Sequence, residues 1–86
     1  MPRIKKPANI VGPQVRMRRV ELGLTQEELA AQCQLDGLDI SRGTLSQIEA
    51  RIRCVTDDEL FILARVLEVG PESLFPADTR VRRKTR

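Results

Sequence analysis

"SRGTLSQIEARIR", residues 41–53, sets Leu45, Ile48 and Ile52 in one narrow arc when wound at about 100° per residue. The pattern predicts a helix through residue 53, with that arc as its buried edge. Opposite lie Gly43, Ser46, Gln47 and Ala50, with Arg42 and Arg53 along one flank. The centre of the outward face is small and uncharged, its border is cationic, and the only acid, Glu49, falls toward the buried side. Small residues allow another surface to approach the backbone closely. Gln can bond an adenine edge bidentately and Arg a guanine edge, and no outward carboxylate repels phosphate. This is the chemistry of a helix placed in a major groove and read near its N-terminal end. A helix docking on a protein partner would also favour small residues.

The rest of the chain supports a small helical domain. Eighty-six residues make one domain near the lower end of what buries a self-sufficient core. Its apolar residues are aliphatic, with two Phe and no Tyr or Trp, which favours packed helices over a β-sandwich. No run of 18 apolar residues suggests a membrane span. The basic N-terminus lacks the apolar core of a secretory signal, which makes the cytoplasm the expected compartment. Cys33 and Cys54 stand 21 positions apart without any His, so no zinc constellation is expected, and both read as small buried hydrophobes. The lack of His also removes the commonest general base. With no nucleophile–base pair and no cofactor motif, an enzyme is not expected.

Charge is unevenly spread. Residues 1–19 carry a net +6, residues 76–86 a net +4 and the segment between a net −7. Basic ends on an acidic body suit a polyanionic partner, or serve only solubility. The expected organisation is a flexible basic arm at 1–8, an ordered domain at 9–76 and a basic tail at 77–86.

Within the ordered part, Asn9 or Gly12 can cap a first helix whose first turn holds Pro13. Val11, Val15 and Leu22 share its inner face, with Arg18 placed awkwardly in the stripe and relieved by snorkelling. Thr25 and Glu28 have capping-box spacing for a second helix, with Leu29, Ala30 and Cys33 facing inward. "QLDGLDI", residues 34–40, reads as a turn. Ser41 is a good N-cap for the third helix, and Thr56 with Glu59 makes a second capping box for a fourth. Leu60, Ile62, Leu63, Val66 and Leu67 give that helix a wide apolar surface. Gly70-Pro71 introduces a short fifth helix, "PESLF", that folds Leu74 and Phe75 onto the core. The fold class is all-α, five short helices without strands.

"GLTQEELA" followed by "ISRGTLSQIE" resembles the lambda-repressor/Cro-like helix-turn-helix family, also called the XRE family. The resemblance covers residues 12–75, and "DDELFILARVLEVGPESLF" is similar to the family's fourth and fifth helices. It implies a sequence-specific double-stranded DNA-binding regulator of transcription, most often a repressor. Arg42, Gly43, Thr44 and Gln47 match the groove-facing positions. Backbone contacts are implied for Arg19, Gln26, Ser46, Arg51 and Arg53, with Gln26 either reaching a phosphate or bracing the third helix. Arg19 also matches an Arg that pairs with the Glu ending that helix, here Glu49. Two-fold homodimers on palindromic sites are the family habit, and the region around Leu74 and Phe75 or the tail is the expected dimer surface.

The sequence departs from the family pattern at three places. The turn before the third helix is long and carries Asp36 and Asp39, which must cap a helix or turn aside to avoid facing phosphate. Arg51 and Val55 stand where Gly and Pro are common, consistent with a third helix about a turn longer. Gly43 offers no side chain where many relatives read a base, which implies greater reliance on DNA shape. From a different class, the same fold also serves as an antitoxin or protein-interaction module that binds a protein partner.

Overall fold

The computed structural model describes residues 7–77. It holds four α-helices, α1 (Gly12–Glu21), α2 (Gln26–Leu35), α3 (Arg42–Glu49) and α4 (Asp57–Val66), followed by a 3-10 turn at Pro71–Leu74. The expected fifth helix is that single 3-10 turn. Residues 1–6 of the expected arm at 1–8 and residues 78–86 of the expected tail at 77–86 lie outside the described residues. No helix among the described residues is long and apolar enough to cross a membrane.

Each helix starts where local chemistry satisfies its free amides. Thr25 and Glu28 close the box at α2: the Glu28 amide donates to Thr25 Oγ1 (3.0 Å) and the Thr25 amide to Glu28 Oε1 (2.8 Å). Thr56 and Glu59 repeat it at α4. Ser41 caps α3 by accepting from the Thr44 amide (3.1 Å). At α1 the N-cap is Val11, and Asn9 Oδ1 takes the Gly12 amide at 2.8 Å, with Pro in the first turn.

One core unites the helices: Val15 from the first with its N-cap Val11, Leu29, Ala30 and Cys33 from the second, Leu45 and Ile48 from the third, Leu63 and Ala64 from the fourth. Ile40, Leu67 and Leu74 close it from the connecting segments. Arg18 is relieved as expected, and usefully. Its Nε donates to the carbonyl of Leu67 (2.9 Å), a terminal acceptor of α4 that would otherwise lack a partner.

Two expectations about buried residues need correction here. Cys33 is buried and free, its thiol pushed up to about 11 by burial and then by Asp36, whereas Cys54 is exposed rather than a core hydrophobe. Ile52, placed on the buried arc by the wheel, is 70% exposed. The cause is the early end of α3. Ala50 is its C-cap, and Arg51 adopts a left-handed conformation (φ 65°), so the predicted extension through residue 53 does not form. The Ile52 amide donates to the Gln47 carbonyl (2.9 Å) and the Arg51 amide to the Ile48 carbonyl (3.0 Å). That is a Schellman ending, with Arg in the position that usually requires Gly.

Candidate nucleic-acid interface

The turn between α2 and α3 decides whether the outward face of α3 is open. Gly37, at φ +96°, reverses the chain, and the Leu38 amide returns to the Cys33 carbonyl (2.9 Å). Ile40 then drops into the core, and Gln34 Nε2 donates to its carbonyl (2.7 Å), fixing the approach to Ser41. Asp36 turns aside to Arg65 on α4 (2.9 Å), the same Arg that lies 5.4 Å from the Phe61 ring centroid. Asp39 stays exposed on the turn. The lengthened connection therefore folds back toward α4 and leaves α3 uncovered.

Arg42, Gly43, Gln47 and Ala50 are exposed, and Thr44 and Ser46 are half-buried. Among the described residues neither the Arg42 guanidinium nor the Gln47 amide makes a hydrogen bond. Thr44 Oγ1 accepts from the Ser41 hydroxyl (3.1 Å), leaving its own proton free to donate outward. A Cβ added at Gly43 would meet only Ser41 Oγ, at 3.8 Å. Nothing in the fold requires glycine there, although glycine inside a helix costs about 0.5–1 kcal/mol relative to Ala.

The inner side of α3 is held by one carboxylate. Glu49 is 8% exposed and accepts three hydrogen bonds: from Arg19 Nε (2.7 Å) and Nη2 (3.0 Å), and from Gln26 Nε2 (3.0 Å). Arg19 spends its remaining terminal nitrogen on the Leu24 carbonyl (2.8 Å), tying the α1–α2 turn to the same point. The Glu49 hydrogen bonds raise the Arg19 pKa against the opposing cost of burial, so the guanidinium stays charged. The expected Arg19–Glu49 pair is present, and Gln26 takes the bracing geometry.

Beyond the helix end, the cations turn toward the protein. Arg53 makes two hydrogen bonds to Glu59 (2.9 and 2.8 Å) and another to the Cys54 carbonyl. The Arg53 contact holds the Glu59 carboxyl below its usual range, with burial opposing and Thr56 assisting. Arg51 Nε donates to the Asn9 carbonyl (3.0 Å).

Three residues, Asn9, Ala8 and Gly12, tie the start of α1 to the end of α3 through long-range contacts that the sequence did not signal. Asn9 Nδ2 donates to the carbonyls of Ile48 (3.1 Å) and Arg53 (2.7 Å), so one amide joins the start of α1 to the end of α3. Ala8, assigned above to the arm, adds a bond from its amide to the Arg51 carbonyl (3.0 Å). Gly12 lets α1 approach so closely that a Cβ there would overlap the Ile48 carbonyl oxygen. The capping use of Asn9 was visible locally, but its partners lie 39 and 44 residues away.

A helix-turn-helix family model matches residues 15–74. The chain belongs to the helix-turn-helix family. Within it, the α2–turn–α3 unit of this domain has the lambda-repressor-like form that the paired motifs resemble. A solved structure from Neisseria, described as a hypothetical transcription factor NHTF, is similar at a TM-score of 0.70 and 25% identity. The similarity covers 88% of this chain and 82% of that one. No curated protein matches the chain.

Proposed function

We propose that this helix-turn-helix domain is a sequence-specific double-stranded DNA-binding regulator of transcription, acting as a repressor, with the outward face of α3 in the major groove. The observation that carries the reading is the pair Arg42 and Gln47, both exposed and unpaired on a helix face without a carboxylate. Family membership and the similarity to a chain described as a transcription factor support the same class of function.

Arg42, Thr44 and Gln47 read base edges, while Gly43 lets the duplex approach the helix backbone. Ser46 and the free end of Arg51 reach phosphates. Gln26, Arg19 and Arg53 act indirectly, because their side chains hold Glu49 and Glu59 and so fix the helix that does the reading. Binding as a two-fold dimer on palindromic sites fits a domain that contacts only a few base pairs. Leu74, expected to help form the dimer surface, is only 1% exposed and belongs to the core. A dimer contact must draw on other residues, and Met17 and Val20 are exposed on α1.

The test is the salt dependence of binding to duplex DNA. Log affinity should fall linearly with log salt, with a slope of roughly one per phosphate neutralised. Affinity that stays constant between low and moderate salt would reject the reading.

A further inference from the structure

The Schellman ending of α3 lacks one of its usual parts. In such endings the residue after the left-handed position packs its side chain on the third residue from the helix end. Those residues here are Ile52 and Gln47. Gln47 is polar and exposed, and Ile52 is left 70% exposed although their backbones are joined at 2.9 Å. Of the neighbouring cations, Arg53 turns to Glu59, and Arg51 is tied through Nε to the Asn9 carbonyl, with its terminal nitrogens left for phosphate. Schellman geometry brings Ile52 next to Gln47, so the exposed residues past Gln47, Ala50 and Ile52, carry no charge.

This inference rests on the duplex-binding reading above. The phosphate rails offer an exposed Ile only charged, hydrated oxygens. The apolar group that projects from base edges into the major groove is the C5-methyl of thymine. We infer that Ile52 is a specificity-determining residue that packs on a thymine methyl beside the base read by Gln47. Sequence preference then extends one step beyond the helix through shape and apolar contact, where Arg42 and Gln47 use hydrogen bonds.

The experiment uses the full chain and the tightest duplex recovered from a random pool, with each thymine replaced in turn by deoxyuridine. That replacement removes only the methyl group. For the natural protein, one thymine per half-site should lose about fourfold in affinity on replacement, the size of one buried methyl. Ile52→Ala should bind the thymine duplex about fourfold more weakly and be indifferent to that replacement. As Ile52 is exposed, the variant should retain its helical circular dichroism and melting temperature. Equal weakening of Ile52→Ala on thymine and deoxyuridine duplexes would overturn the inference in favour of a sugar or structural role. Unchanged affinity would overturn it too, and would assign Ile52 to another surface. If the natural protein binds no duplex at all, the proposed function itself fails, and this inference with it.

Discussion

The two ends of α3 are held in different ways. At the N-terminal end every fixing bond is local: Ser41 caps Thr44, Gln34 reaches Ile40, and Gly37 turns the chain at no steric cost. At the C-terminal end the partners are distant. Glu49 is gripped by Arg19 and Gln26, the Ile48 and Arg53 carbonyls by Asn9, and Arg51 by the Asn9 carbonyl. The first turn, which carries Arg42, Gly43 and Thr44, is thereby left open. A helix that must present its beginning to a partner is anchored to its own domain through its end.

The largest effect is expected at the distant anchor. Glu49→Ala leaves the Arg19 guanidinium, 11% exposed, without its counter-charge and frees Gln26. It should destabilise by about 3–5 kcal/mol, the usual consequence of stranding one member of a buried pair. Urea unfolding measures this, and a loss below about 1 kcal/mol would mean that the C-terminal anchor is ornamental.

A smaller pair of effects compares the left-handed positions on either side of α3, Gly37 and Arg51, directly. Gly37→Ala meets no atom within 4 Å, so its expected loss of about 1 kcal/mol is the conformational cost alone. At the other end, Arg51→Gly should be more stable than Arg51→Ala by a similar amount, since both variants lose the bond to Asn9. Equal stability of the two Arg51 variants would show that the residue is not held left-handed in solution.

The smallest effect lies in the first turn. Gly43→Ala should stabilise the fold by about 0.5–1 kcal/mol, because only Ser41 Oγ stands near the new methyl. The same change should weaken duplex binding if that backbone is approached closely. A variant that gains stability and keeps full affinity would break the assignment of Gly43 to the interface.

How much of this was legible in the sequence follows the same division. Ser41, both Thr–Glu capping boxes, the inner residues of α2 and the open face of α3 were readable, because their causes lie within a few residues. The Arg19–Glu49 pair was reached through resemblance to the family, since nothing local links residues 30 positions apart. The end of α3 was misread. Ile52 continues the apolar period well, and an Arg at position 51 gives no sign of a left-handed turn. That turn is supported by Asn9 and by Gly12, which allows α1 to lie against the Ile48 carbonyl. Asp36 could be expected to turn aside, but its destination on Arg65 depended on how α4 packs.

The central claim is that the exposed face of α3 selects bases. Its most direct test is to recover preferred sites from a random duplex pool with the natural protein and with Gln47→Ala. The account predicts an enriched palindrome for the natural protein, and for the variant a loss of preference confined to one base pair in each half-site. Recovery of the same palindrome with both proteins, or of no preferred site with either, would contradict it.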